Sequence, residues 1–212
     1  EYSFKQTLSL NDPEMWDIDN PELYTLISVI KDKDQGIILD EYETPFGIRT
    51  IDFDSRRGFF LNGENIKLKG VCRHHDLGPL GTAVNKQALR RQLELLRKMG
   101  CNAIRTSHNP PVPELLELCD SMGFLVIDEA FDEWEKGKVD NGYHKYFKEE
   151  AEKDLTSMIR RDRNHPSLIM WSIGNEIREQ GEEDGAEVAE FLYDLCKKED
   201  TTRPVTAGFN NP

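Results

Sequence analysis

Residues 168–176 read LIMWSIGNE. Apart from Ser172, every position from Leu168 to Ile173 is apolar or aromatic, the signature of a strand buried on both faces. The run then ends on Gly174, Asn175 and Glu176, with no polar turn before the carboxylate. A charge at the end of such a strand is costly unless it is paired or used. Where the strand belongs therefore decides both the fold and the meaning of its last residues.

The same shape recurs upstream. IKLKGVCRH (66–74), CNAIRTSH (101–108) and FLVIDEA (124–130) read as strands, and RPVTAG (203–208) begins another. Helical periodicity fills the gaps. Leu89, Leu93, Leu96 and Met99 recur at helical spacing, with Asn85 placed to cap the start and Gly100 the end. VPELLELCDSMG carries Pro113 in its first turn and Gly123 at its close. Phe147, Ala151, Leu155 and Met158 mark a long helix, and AEVAEFLYDLCKK (186–198) a further one. Strict alternation with short links predicts parallel strands joined by right-handed crossovers, an α/β class.

Two architectures share that grammar. A doubly wound dinucleotide-binding sheet would carry G-x-G-x-x-G after its first strand; GVCRHHDLGPLG lacks the spacing and places bulky side chains where backbone must approach phosphate. A (β/α)8 TIM barrel fits better. The first four strands of the series end in Arg73-His74-His75-Asp76, in Arg105 with Ser107-His108-Asn109, in Asp128-Glu129 and in Asn175-Glu176. In a barrel those ends ring one face, where chemistry is performed. Residues 55–212 are thus expected to form the N-terminal part of a barrel, with four full units and a fifth strand.

Residues 1–54 read differently. LYTLISVIKD and GIILDEYETPFGIRTIDFD are rich in β-branched and aromatic residues and are broken by turn clusters; Asn62-Gly63 then sits between extended arms as a hairpin signal. Three or four strands do not make a sandwich, which needs about seven. This segment is expected to be the C-terminal remnant of an immunoglobulin-like β-sandwich.

Composition narrows the function. The chain has 212 residues, 37% hydrophobic and 32% charged, with a net charge of −13. Such an acidic balance, with no basic stripe to offset it, argues against a nucleic-acid backbone as partner. No apolar run reaches membrane-spanning length, and residues 1–4 do not read as a signal peptide. The four cysteines include no C-x-x-C pair, and three lie in apolar-periodic segments, so buried thiols are expected.

Each polar cluster has a structural alternative. His74 and His75 are adjacent on a strand and point to opposite sides, which disfavours a shared metal ion. His108, before Asn109-Pro110-Pro111, would serve equally to hold a turn. Asp128 and Glu129 would pair with Arg73 or Arg105, at least for one of the two. Asp132, Glu133 and Glu135 are a solvated loop or part of the site. Arg160-Arg161-Asp162-Arg163 reads as a surface charge run. Trp171 is core or a platform for a sugar face. Glu176 has no comfortable structural reading.

Taken together, LNGENIKLKGVCRHHD, LLRKMGCNAIRTSHNPP, LCDSMGFLVIDEA and RDRNHPSLIMWSIGNE, preceded by WDIDNPELYTL and FGIRT, resemble glycoside hydrolase family 2 in order and spacing. This is the group of β-galactosidases, β-glucuronidases and β-mannosidases. The DEAFDEWE loop is most similar to bacterial β-galactosidase-like enzymes of polysaccharide degraders.

The resemblance implies a retaining exo-β-glycosidase acting on terminal β-galactosides, with β-glucuronides or β-mannosides as alternatives, or else a non-catalytic sugar-binding relative. Glu176 would be the general acid/base and Asn175 would bond the sugar 2-hydroxyl. His74, Asp76, His108 and Asp128 would contact substrate, and Arg105 would orient the carboxylates. Burial at the strand end and repulsion by a second carboxylate are the expected means of keeping such an acid protonated. Asn109 stands where the family more often has Tyr.

No cofactor is required by this reading. Some relatives bind magnesium through a Glu and a His after the third strand; Glu133 matches the first, but Glu135 stands in place of the His. A magnesium site, if present, would use Glu133 and Glu176. The family's nucleophile, a Glu of the seventh strand, would lie outside this chain, with the rest of the barrel as the missing partner. The fragment alone is expected to be inactive. The resemblance is compatible with a homo-oligomeric parent and with either a periplasmic or a cytoplasmic bacterial location.

Overall fold

The structure, a computed structural model, describes residues 5–210; the reading of residues 1–4 as no signal peptide lies outside the described residues. Its centre is a five-stranded parallel sheet: β6 (Gly70–His74), β7 (Ala103–Ser107), β8 (Leu125–Glu129), β9 (Leu168–Asn175) and β10 (Val205–Gly208). The order is β10-β9-β8-β7-β6. Each strand pairs with the one before it in sequence, with no reversal point. A doubly wound sheet would need such a reversal, whereas a barrel grows by this simple addition.

Four helices make the crossovers: α1 (Lys86–Lys98), α2 (Pro113–Met122), α3 (His144–Asp162) and α4 (Glu183–Glu199). Local chemistry sets their ends. Asn85 Oδ1 accepts the Ala88 N–H at 2.9 Å, which satisfies one of the free donors of the first turn of α1. Pro113 occupies the first turn of α2, and Gly123 ends it at φ 69°, where a Cβ would strike the Ile18 carbonyl. Leu89, Leu93, Leu115, Leu116, Phe147, Ala151, Leu155 and Met158 are buried together against Ile104, Val126 and Trp171. Removing a fully buried leucine such as Leu155 would cost about 2–5 kcal/mol.

The other end of the sheet is closed by a second apolar cluster. β3 (Ile51–Asp54), β4 (Gly58–Leu61) and β5 (Glu64–Asn65) form an antiparallel sheet whose Phe59 and Leu61 join Trp16, Ala103, Leu125 and Ile169. Asn62 (φ 52°) and Gly63 (φ 84°) make the tight turn between β4 and β5, as their order predicts. Trp16 Nε1 donates to Asp120 O at 2.8 Å, and Arg49 donates to the carbonyls of Pro166 and Leu168. Burial and the nearby Arg203 charge pull the Arg49 pKa down to about 10. Arg49 thus bolts the N-terminal segment to the start of β9.

Four expectations need correction. The first parallel strand begins at Gly70, not Ile66, because Ile66 and Leu68 pack into the lower cluster instead. Met99 lies past the end of α1 and is 75% exposed, since the helix has turned its buried face away by then. Only Cys119 and Cys196 are buried; Cys101 is half-buried and Cys72 is exposed. Asp162, read as part of a surface run, is fully buried and is held by Arg161 Nε and Nη2 at 2.6 and 2.7 Å.

β1 (Tyr24–Lys31) and β2 (Ile38–Phe46) form a separate antiparallel ribbon. Leu26, Ile27, Val29, Ile30, Ile38, Leu39 and Tyr42 are exposed on it. Two strands with apolar residues bare are marginal in water, and the outer edges of β6 and β10 add unpaired backbone donors and acceptors. The isolated chain should therefore self-associate. Sedimentation velocity should show species above the monomer, and amide exchange should be fastest in residues 24–46. A sharp monomer with uniform protection would contradict this.

Candidate active site

Successive side chains on a strand point to opposite faces, so Asp128 and Glu129 part company at the end of β8. Glu129 turns to the side of Arg105 and Ser172 and is fully buried. It accepts from Arg105 Nε at 2.8 Å, from His108 Nδ1 at 2.6 Å and from Ser172 Oγ at 2.5 Å, with Arg105 Nη2 also 2.6 Å away. These donors come from β7, the turn after it and β9. Burial works to lower the Arg105 pKa, but the Glu129 charge and the hydrogen bonds it receives outweigh it and hold the guanidinium more firmly protonated.

Arg105 passes this order on. Its Nη2 donates to Asn175 Oδ1 at 2.9 Å, while Asn175 Nδ2 donates to Asp132 Oδ1 at 2.9 Å. The amide of Asn175 is therefore oriented at both ends, with one Nδ2 hydrogen left for a ligand. The next residue, Glu176, has φ +43°, a left-handed conformation uncommon for a side-chain-bearing residue and often found at functional turns. Its N–H donates to Gly208 O at 2.5 Å. Glu176 is exposed, so the burial expected to keep it protonated is not provided within this chain. The reason is geometric: β9 ends at Asn175, and Glu176 projects past the packed part of the sheet.

The loop after β8 is built on fixed contacts rather than solvated throughout. Trp134 is buried and donates to Ile173 O at 2.8 Å. Lys138 Nζ bonds Asp132 Oδ1 and Asn175 O, each at 2.8 Å. Burial pushes the Asp132 carboxyl up, but the bonds from Lys138 and Asn175 and the charges of Lys138 and His108 bring it below the usual carboxylate range. Glu133 is buried, and Glu135 is exposed.

These residues do not fit a magnesium ion. Glu133 Oε1 accepts from the backbone N and ring Nδ1 of His144, both at 2.9 Å, and Oε2 accepts from Lys138 N at 2.5 Å. The bonds from His144 and Lys138 overcome burial and hold the Glu133 pKa below its ordinary value. Gly142 closes the pocket so tightly that a Cβ there would run into Glu133 Oε1. Both oxygens are spent on N–H donors, and the cation beside Asp132 is an ammonium. Among the described residues no group of three or more His, Cys, Asp or Glu could hold a metal.

At the first two strand ends, His74, Asp76 and His108 line one open cavity of about 550 Å³, with His75, Thr82, Asn109 and Asp132. His74 and His108 meet edge to face, 5.1 Å between ring centres. His75 Nε2 bonds Thr82 O at 3.0 Å, and Asp76 Oδ1 accepts from Gly78 N at 2.5 Å. Arg73 is buried and goes to Gln92 rather than to a strand-end carboxylate. Arg105 thus bonds Asn175 directly and meets His108 at Glu129, Glu176 follows Asn175 in the chain, and His74 and Asp76 share a cavity with His108.

Asp128 does not join them. It is fully buried on the opposite face, accepts from Thr106 Oγ1 at 3.3 Å and confronts Asp162 of α3. Its parity on β8, odd against Glu129, puts it there, so it is no substrate ligand. Trp171 is likewise core, with no exposed face for a sugar, and donates to Asp200 Oδ2 at 3.0 Å. The sequence reading singled out neither Glu129 as the hub nor Lys138 as a site residue. A register argument on β8 could have found the first; no periodic signal marks the second.

The family model described as glycosyl hydrolases family 2, TIM barrel domain, matches residues 54–211, and that of glycosyl hydrolases family 2 matches residues 1–49. The chain is 48% identical to the β-galactosidase BoGH2A of Bacteroides ovatus over all of its own length and 28% of that protein. A crystal structure of a glycosyl hydrolase family 2 member from Bacteroides cellulosilyticus superimposes with a TM-score of 0.91 at 48% identity, covering 94% of this chain and 26% of that one. The β-glucuronidase of Bacteroides uniformis does so with a TM-score of 0.84 at 33% identity, covering 98% and 26%. The chain therefore spans little more than a quarter of the length of these relatives.

The Asp128–Asp162 contact has a measurable signature. Burial, then the Asp162 charge, raise the Asp128 pKa well above the ordinary value. Its Oδ2 is buried with no donor aimed at it, which fits a proton carried there toward Asp162. A raised folded-state pKa stabilises fully below the unfolded value near 4, and that contribution is lost as pH rises through the folded pKa. Asp128→Asn keeps a hydrogen toward Asp162 without the titration. Its melting temperature relative to the native chain should rise from pH 5 to pH 9, by about 2–4 °C for each kcal/mol recovered. An unchanged difference across that range would remove the shared proton.

Proposed function

We propose, from the premise that this chain belongs to glycosyl hydrolase family 2, that it supplies the acid/base side of the active site of a retaining β-glycosidase. The observation that carries the reading is the pair at the end of β9: an exposed Glu176 carboxylate beside an Asn175 amide oriented at both ends. Glu176 protonates the leaving oxygen and then takes a proton from the attacking water. Asn175 uses its remaining Nδ2 hydrogen on the sugar 2-hydroxyl, a bond that strengthens as positive charge develops at the anomeric carbon. His74, Asp76 and His108 receive the other hydroxyls in the cavity they line. Arg105 orients Asn175.

The attacking carboxylate is proposed to come from a segment beyond residues 1–212. Glu129 and Asp132, two carboxylates at this face, are both committed to donors. The acid and the nucleophile of a retaining enzyme stand about 5–5.5 Å apart. For the sugar, identity to a β-galactosidase supports terminal β-galactosides, and the likeness to a β-glucuronidase makes β-glucuronides the second choice.

The test uses the enzyme containing this chain in full. Glu176→Ala should lose about 10²–10⁴-fold on alkyl or sugar leaving groups, and far less on an activated aryl glycoside. Azide should accelerate the variant and yield a glycosyl azide of retained β configuration. A folded variant with equal loss on all leaving groups and no response to azide would overturn the role of Glu176. Matched nitrophenyl glycosides decide the sugar: preference for the glucuronide or mannoside would replace galactoside, and no hydrolysis of any would favour a sugar-binding relative.

A further inference from the structure

Asn175 O and Glu176 N–H belong to one peptide unit, and this unit is gripped at both ends. Lys138 Nζ donates to Asn175 O at 2.8 Å, and Gly208 O accepts from Glu176 N at 2.5 Å. The two contacts arrive from different elements, the loop after β8 and the strand β10. Rotating this peptide plane would change φ of Glu176, which sits at +43°, and would swing its carboxylate. The Gly208 contact alone leaves the carbonyl free; Lys138 closes the clamp.

The same ammonium has a second bond, to Asp132 Oδ1 at 2.8 Å, and Asp132 in turn accepts from Asn175 Nδ2 at 2.9 Å. Lys138 therefore sets the backbone of residue 175 directly and its side chain through one carboxylate. Its own backbone is fixed by the N–H bond to Glu133 Oε2 at 2.5 Å. Glu133, saturated by N–H donors, acts as the anchor of the lysine's loop and not as a metal ligand.

We propose that Lys138 is a positioning residue for the acid/base: its ammonium is the resident cation of this site, holding the Asn175–Glu176 peptide where relatives with a suitable ligand set would hold a divalent ion. This rests on the reading of Glu176 as acid/base. It assigns a role to a loop residue and states that no divalent cation takes part at Glu133.

The experiment again uses the enzyme containing this chain. Lys138→Met keeps the stem and removes the charge. It should lower kcat for alkyl and sugar leaving groups about 10²-fold, within the range of general acid/base catalysis, and lower it less than 10-fold for an activated aryl glycoside, with KM little changed. Lys138→Cys alkylated to the S-aminoethyl side chain should recover most of the loss, because it restores the ammonium at the same reach. Added magnesium should restore neither variant, and the native enzyme should be indifferent to EDTA.

Equal loss for every leaving group, or no recovery on alkylation, would overturn the proposal. So would EDTA inactivation of the native enzyme reversed by magnesium, a measurement that needs no folded variant. Failure here is distinguishable from failure of the acid/base reading. If Glu176→Ala responds to azide while Lys138→Met shows no dependence on the leaving group, Lys138 alone is misassigned.

Discussion

The site is organised by one buried anion. Glu129 carries a carboxylate with no access to water, and burying such a charge unpaired would cost several kcal/mol. Its donors, Arg105, His108 and Ser172, stand on β7, the following turn and β9, while Glu129 itself ends β8. One carboxylate therefore ties three adjacent strands at their C-terminal ends. Removing a partner would strand the charge, so the strand ends are held in a single register. Arg105 then exports that order to Asn175.

The acidic loop shows how the meaning of charge depends on satisfaction rather than on count. DEAFDEWE looks like a cation site in sequence, yet each carboxylate has a different fate. Asp132 is neutralised by an ammonium and an amide, Glu133 is consumed by backbone N–H groups and His144, and Glu135 faces solvent. A carboxylate already accepting two or three good hydrogen bonds gains little by trading them for a metal that must first shed water. Glu135 turned to solvent and Lys138 seated beside Asp132 fit one another physically.

Much of this was legible in the sequence, and for a common reason. Alternating strands and helices, the Asn85 cap, Pro113, Gly123 and the Asn62-Gly63 turn are all local signals, set within a few residues of where they act. The ring of polar strand ends followed from the fold class alone. What escaped was whatever needed a distant partner. Whether Asp128 or Glu129 faced the site turned on a one-residue parity, fixed only by pairing with β7 and β9. Trp171 became core because Asp200, far along the chain, meets its indole nitrogen. Lys138 sits in a loop with no period to read, and its role exists only through an acceptor on β9.

The sequential order of the parallel strands has a consequence in time. Each strand docks on the one made just before it, so the sheet can be laid down as the polypeptide leaves the ribosome, every fresh edge serving as template for the next unit. β6, β7, β8 and β9 can settle in that order, and the Glu129 knot can be drawn tight as soon as Ser172 emerges. The peptide before Glu176 is different. Its N–H waits for Gly208, the last residue of β10, so the carboxylate read as the proton donor is made after every other site group named on this chain and is still not fixed in place until a further helix and strand have followed it.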